Sequence, residues 1–160
     1  MSTSDFVFRP AGPEDGAAVM ELINHAFEVE RKFFSVDRID LAGVREHMQK
    51  GTFIVAEAGD MLAGCVYIEL RGVKGYFGLL SVAPDQQGHG LGTRLVTEAE
   101  DLCREAGCSI MELRILNLRT ELPPYYDKLG YAFVTEEVPE QEPTAYQPYT
   151  FIVMERTIGE

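Results

Sequence analysis

The chain has 160 residues, 46% hydrophobic and 25% charged, a composition that allows one domain with a real core and excludes wholesale disorder. Its 14 basic residues against 26 acidic ones leave a formal charge of -12, which argues against nucleic acid or a membrane as partner and favours a cationic or amine-bearing one. The start, Met1-Ser2-Thr3-Ser4-Asp5, has no basic segment followed by a long apolar run, and no stretch is apolar for long enough to span a bilayer, so a cytoplasmic protein is expected.

Phe6-Val7-Phe8 predicts a short strand. Pro13, with Glu14 and Asp15 behind it, marks a helix start, and Val19, Leu22, Ile23 and Ala26 then recur at helical spacing. A second helix is predicted between Asp37 and Lys50, with Leu41, Val44 and Met48 on one stripe and Gly51 as its stop. Thr52 to Ala58 and Met61 to Leu70 flank the turn Gly59-Asp60 and read as a hairpin, which Gly75 to Val82 extends to an antiparallel meander.

Leu91, Leu95, Ala99, Leu102 and Ala106 step by three and four as far as Gly107, an amphipathic helix, and Ile110 to Leu116 is a strand. Strand, helix and strand in that order imply a parallel crossover beside the meander. Thr120 is placed to cap a short helix from Glu121 to Leu129, with Pro123 and Pro124 in its first turn. Phe133 to Val138 and Thr150 to Thr157 close the chain as strands. No repeat or domain boundary interrupts this order, so residues 1–160 are expected to form a single domain.

Between the third meander strand and the amphipathic helix lies Gln86-Gln87-Gly88-His89-Gly90-Leu91-Gly92-Thr93. Glycines let successive backbone N–H groups converge, and a helix start adds roughly half a positive charge, which together suit a pyrophosphate. The same glycines also suit a tight turn with no ligand. The spacing G-x-G-x-G matches neither the dinucleotide fingerprint G-x-G-x-x-G nor the triphosphate loop G-x-x-x-x-G-K-S/T.

Gln87, Gly90 and Gly92 do meet the pattern Q/R-x-x-G-x-G/A, and here the chain resembles the GNAT superfamily of N-acetyltransferases. Leu79-Leu80-Ser81-Val82-Ala83-Pro84 looks like that family's central strand entering its coenzyme loop, and Asn117 with Tyr125-Tyr126-Asp127-Lys128-Leu129-Gly130-Tyr131 resembles its Asn and Y-x-K-L-G-F/Y segment. The insert Arg119-Thr120-Glu121-Leu122-Pro123-Pro124 makes the interval from Asn117 to Tyr126 longer than the family's usual one.

The resemblance implies an α/β (α+β) acyl-CoA N-acyltransferase fold, with a central, mostly antiparallel mixed sheet of six to seven strands and about four flanking helices. It implies acetyl-coenzyme A as cosubstrate, contacted by Leu80, Ser81, Val82, Gln87, Gly88, His89, Gly90, Leu91, Gly92, Thr93 and Asn117. The Val82 N–H would face the thioester carbonyl, and Tyr126 would touch the coenzyme and give its phenolic proton to the thiolate. Packing alone is the other role open to Tyr126. Glu28, Glu30, Phe33 and Phe34 would meet the acceptor, with Glu136, Glu137, Glu140 and Glu142 on the opposite wall. Such a lining favours a cationic primary amine on a small molecule or peptide. Pairing as a homodimer is a further implication.

Acetyl transfer to an amine needs a neutral nitrogen, yet an alkyl ammonium of pKa about 10.4 is only about one part in a few thousand neutral at pH 7. A base, an oxyanion donor and a proton for the departing sulfur are therefore the roles to fill. Gly75 to Val82 contains no carboxylate where many members of that family hold a glutamate. Glu69, late in the preceding strand, is the nearest candidate base by register, a solvated strand end being its other reading. Glu30, Glu121 and a water relay are further candidates. His25, His47 and His89 form no ligand pattern, so no metal is expected. Cys65, Cys103 and Cys108 are odd in number and sit in or beside apolar segments, as reduced structural thiols do. Two other functions stay open: a non-catalytic acyl-CoA sensor of the same fold, and an interaction domain with an empty loop.

Overall fold

The hydrophobic alternation of its strands lets one sheet bury both faces. In β2 (Thr52–Ala58), Phe53 and Val55 point to one core while Ile54 and Ala56 point to the other. The structure is a computed structural model that describes residues 5–159. Residues 1–4, on which the reading of the chain start rested, lie outside the described residues, as does Glu160.

The sheet has seven strands in the order β1-β2-β3-β4-β5-β7-β6. The remaining strands are β1 (Val7–Pro10), β3 (Met61–Arg71), β4 (Lys74–Val82), β5 (Ile110–Leu116), β6 (Ala132–Glu137) and β7 (Phe151–Thr157). Every neighbouring pair is antiparallel except β4 with β5, so the mostly antiparallel mixed sheet and the parallel crossover are both present.

Helices α1 (Gly16–Ala26) and α2 (Leu41–Lys50) cover one face, where Val19, Leu22, Ile23 and Val44 meet Phe53, Val55, Cys65 and Tyr67. Helices α3 (Leu91–Glu105) and α4 (Leu122–Lys128) belong to the other, where Leu91, Leu95, Ala99 and Cys103 pack with Val66, Phe77, Met111, Tyr126 and Tyr131. Glu100 lies on the buried side of α3. It is tolerated there because Arg156 of β7 reaches it at 2.9 Å and the Tyr131 hydroxyl donates to it at 2.7 Å.

Helix starts differ from expectation in three places, each for a local reason. Pro13 opens a 3₁₀ turn, Pro13–Asp15, and the α-helix begins only at Gly16. The second helix begins at Leu41, after the Asp40 carboxylate caps it by accepting the Gly43 N–H at 2.7 Å. Thr120 caps nothing: α4 starts after Glu121 with no side-chain cap. Pro123 and Pro124 occupy the two positions whose N–H groups a cap would have satisfied. The three cysteines are buried and unbridged, and burial pushes the Cys65 and Cys103 thiols up to about 12. Among the described residues no helix is long and apolar enough to cross a membrane.

Candidate active site

β4 and β5 are hydrogen-bonded neighbours only from Lys74 to Phe77, against Ile110 to Leu113. Just past that point the β4 backbone turns left-handed at Leu79, with φ 54°, a conformation that costs a residue with a side chain about 1–2 kcal/mol. The register against β3 slips beside it. Ser81, buried at 1% exposure, holds the kink by donating its hydroxyl to the Leu79 carbonyl at 2.9 Å. A cavity of about 500 Å³ opens where the strands part, lined by Gly78, Leu79, Leu80 and Val82 on one side and by Leu113 to Leu116 on the other.

Backbone direction on this edge follows from strand alternation. Ala83 gives its N–H to Ala63 of β3 at 2.8 Å, so Val82, one residue earlier, aims its own N–H and carbonyl away from β3 toward the gap. The Gln87 side chain meets that carbonyl at 3.3 Å and ties the loop back to the strand. Gly88 and Gly90 both adopt positive φ, 86° and 77°, and a Cβ on Gly88 would meet nothing within 4 Å. Gly90 is the N-cap of α3 and supplies no side-chain cap. The first amides of a 15-residue helix therefore face a bare loop surface, which fits an anionic diphosphate.

Tyr126 reaches the same cavity from α4. Its ring is wedged edge-on against Phe77, Tyr125 and Tyr131 with centroids 5.9, 5.0 and 6.1 Å apart. Among the described residues no group hydrogen-bonds its hydroxyl. Burial pushes the phenol well above its ordinary value, so the proton stays on at neutral pH. Tyr125 lines the cavity too, but its hydroxyl turns to Thr93 at 3.3 Å, beside Gly92. The two neighbouring tyrosines thus face different parts of the groove.

A second cavity, of about 570 Å³, shares Phe27, Glu30, Arg38, Arg114, Leu116 and Phe151 with the first. Glu30 lies in a 3₁₀ turn, Glu28–Lys32, and its carboxylate accepts from Arg119 at 3.0 Å, both side chains being nearly buried. Burial raises the Glu30 carboxyl, while Arg38 and Arg119 draw it back. Phe34 and Thr144, which both line the second cavity, belong to segments tied together by the Ser35 N–H, which donates to the Thr144 carbonyl at 2.9 Å, and by the Tyr146 N–H, which donates to the Phe33 carbonyl at 2.9 Å.

The structure therefore gathers Leu80, Val82, Gln87, Gly92, Tyr126, Glu30 and Glu121 around one cavity and adds Phe34 to the second. Other candidates lie elsewhere. Glu69 lines neither cavity: Tyr67 donates to it at 2.6 Å and Arg71 at 2.8 Å, so its own strand neighbours occupy both oxygens. Asn117 spends its side-chain oxygen on the Thr150 N–H at 2.8 Å, fastening β7 to the end of β5. Leu91 is a core side chain and His89 is exposed. Glu28 and Phe33 line neither cavity, and of the acidic stretch only Glu140 and Glu142 do. Glu137 is held by Arg114 at 2.8 Å and Glu136 by Thr150. Arg38, Arg114 and Arg119 went unnoticed in the sequence as candidates. Arg119 stands in the insert before Tyr126, which was the one local signal available.

Residues 17–131 match the model of the acetyltransferase (GNAT) family, and the chain belongs to that family. Acetyl-coenzyme A is its cosubstrate. Among solved structures, yncA from Salmonella typhimurium aligns at a TM-score of 0.74 with 18% identity, over 98% of this chain and 95% of that one. The ribosomal-protein-S18-alanine N-acetyltransferase from Escherichia coli aligns at 0.77 with 14% identity, over 97% and 95%. Nourseothricin acetyltransferase aligns at 0.75 with 19% identity, over 96% and 99%. These likenesses show a shared fold. No curated protein matches the chain in sequence.

Proposed function

We propose that the protein moves the acetyl group of acetyl-coenzyme A onto a primary amine of a small molecule or peptide, by direct attack of that amine. The observation that carries this reading is the free Tyr126 hydroxyl in a cavity that also holds the loop residues Gln87 and Gly92 and the Glu30–Arg119 pair. Support also comes from structural neighbours: yncA was solved with its cofactor acetyl-CoA, and the Escherichia coli neighbour acts on an alanine of a ribosomal protein.

In this scheme the amides at the start of α3 hold the diphosphate and the thioester lies along the β4 edge. Val82 gives its N–H to the carbonyl oxygen as negative charge builds there. The acceptor enters as an ammonium and loses its proton to Glu30, directly or through water. Glu30, rather than Glu69, meets the nitrogen because Glu30 lines the cavity and Glu69 does not; Glu121 lines it too, but it is exposed and held by Arg119 at 2.8 Å. The new N–C bond forms, the C–S bond breaks, the sulfur takes the Tyr126 proton, and the nitrogen's second proton passes through water to the tyrosinate and restores the phenol.

Thiol release from acetyl-coenzyme A over a panel of amines, beside calorimetry of coenzyme binding, tests the proposal. Turnover on at least one amine is expected. Tyr126→Phe should slow it by roughly 100-fold or more if acid catalysis contributes in its usual range, with coenzyme affinity unchanged. Tight binding with no release on any amine would instead make the domain a sensor. Full activity of the Tyr126→Phe protein would remove that residue from the chemistry.

A further inference from the structure

The arginines that line the two cavities are not equivalent. Arg31 is matched by Asp37 at 2.7 Å, Arg114 by Glu137 at 2.8 Å, and Arg119 by Glu30 at 3.0 Å and Glu121 at 2.8 Å. Arg38 makes no ion pair among the described residues: it faces Glu30 only at longer range, and Arg119 already holds that carboxylate. Its guanidinium lies over the Phe27 ring, 5.6 Å from the centroid, and the Arg119 guanidinium lies 5.8 Å from the same ring. Arg38 is also one of the few residues common to both cavities, with Glu30.

An unmatched cation where the cavities meet, in a chain of net charge -12, is placed to receive an anion that arrives with a ligand. The cosubstrate's diphosphate is provided for elsewhere, at the start of α3, which reaches only the first cavity. A guanidinium presents a planar fork of donors that fits a carboxylate by two parallel hydrogen bonds. Next to it, Glu30 offers the opposite charge.

We propose, building on the acetyl-transfer reading, that Arg38 grips the carboxylate of the acceptor while Glu30 faces its ammonium, so that the acceptor is a free amino acid. The side chain then occupies the second cavity, against Phe34 and Tyr149, whose rings meet edge-on at 5.2 Å. Glu140 and Glu142 also line that cavity, and Asp37 is already spent on Arg31. Acidic side chains are therefore disfavoured, and neutral or basic ones fit.

The test compares each amino acid of a panel with its amide and with the amine that lacks the carboxylate. Wild-type kcat/KM should favour the amino acid. Arg38→Ala should raise its KM by roughly 10- to 100-fold, the span expected for a lost hydrogen bond to a charged group. Well above the acid limb set by Glu30 it should leave kcat and the coenzyme affinity nearly unchanged and spare the carboxylate-free amines, while the limb itself moves toward neutrality on every amine because Arg38 no longer holds the Glu30 carboxyl down; Arg38→Lys should recover part of the loss.

Calorimetry of the same panel on the complex with coenzyme A reads the carboxylate site without turnover. Carboxylate-dependent binding that Arg38→Ala abolishes, with no thiol release from acetyl-coenzyme A, would overturn transfer and keep the role of Arg38. Equal or better turnover of the amides and amines would overturn the role of Arg38 and keep transfer. Weakened coenzyme binding in Arg38→Ala, with unchanged acceptor preference, would reassign the guanidinium to the cosubstrate.

Discussion

Glu30 has its carboxylate between an arginine that bonds it and another that only faces it, at 8% exposure. Burial disfavours the charged form and lifts its pKa above the ordinary carboxylate range. As the proposed base Glu30 can take a proton only when ionised, so lowering the pH through that raised value should switch it off and lower kcat/KM on the acid side. The raised direction moves this limb toward neutrality. Glu30→Gln should remove the limb and lower kcat/KM by roughly 100-fold or more, leaving the higher-pH limb set by the acceptor's own ammonium. Arg119 keeps Glu121 at 2.8 Å in that variant, so its guanidinium is not left unpaired. A variant profile superimposed on the wild type would assign the proton transfer to another group. Residues of this kind are the least legible in a sequence. The Gly88 to Gly92 loop and Tyr126 stand out as candidates because their pattern is local, a few residues beside a helix start. Glu30 and Arg119 are 89 positions apart, and neither carries a sign of the other. Register put Glu69 in the base's place, but a strand pattern does not say which carboxylate its own neighbours have already taken.

Helix α3 must sit close to the sheet for its first amides to face the end of β4, and two glycines make that approach possible. A Cβ on Gly64 of β3 would lie 2.9 Å from Leu95 Cδ1, 2.9 Å from the Ser81 carbonyl oxygen and 3.2 Å from Leu91 Cδ2. A Cβ on Gly75 of β4 would lie 2.3 Å from Cys103 Sγ and 2.7 Å from Cys103 Cβ. Either change overpacks the core, at about 1–3 kcal/mol. Their functional effects should separate. Gly75→Ala presses on the far end of α3 and should lower the denaturation midpoint with little change in coenzyme affinity. Gly64→Ala presses on Leu91, the first residue of α3, and on the backbone of Ser81 beside the kink, so it should weaken coenzyme binding as well. Unfolding curves and calorimetry on the two variants check this, and equal coenzyme affinity in both would detach the seat of α3 from the phosphate site. Elements were more legible than residues. Apolar spacing placed β2, β5 and α3 within a residue of where they lie, because both periods are written in local sequence. The 3₁₀ turn at Glu28–Lys32 escaped because its charged and aromatic residues follow neither period. The kink at Leu79 escaped because leucine does not advertise positive φ.

At the scale of the molecule, a chain of net charge -12 has to bind a cosubstrate that is itself a polyanion. Long-range repulsion between like charges opposes their approach, and nearby cations do little to reverse it. Arg94, just past the loop, is held by Glu98 at 4.0 Å and stacked over Phe8, 4.9 Å from the centroid. In the proposed scheme the grip of the loop comes from backbone amides, whose dipoles act at contact and are barely screened by salt. The repulsion acts over a Debye length, about 30 Å at 0.01 M salt and about 8 Å at 0.15 M. Added salt should therefore remove more repulsion than attraction. The association rate of acetyl-coenzyme A, followed by stopped flow, is expected to rise several-fold across that range while its dissociation rate changes little. A basic phosphate-binding protein does the reverse, because salt weakens its steering. A rate that falls with salt would mean that clustered cations, not bare amides, dominate the field at the mouth of α3.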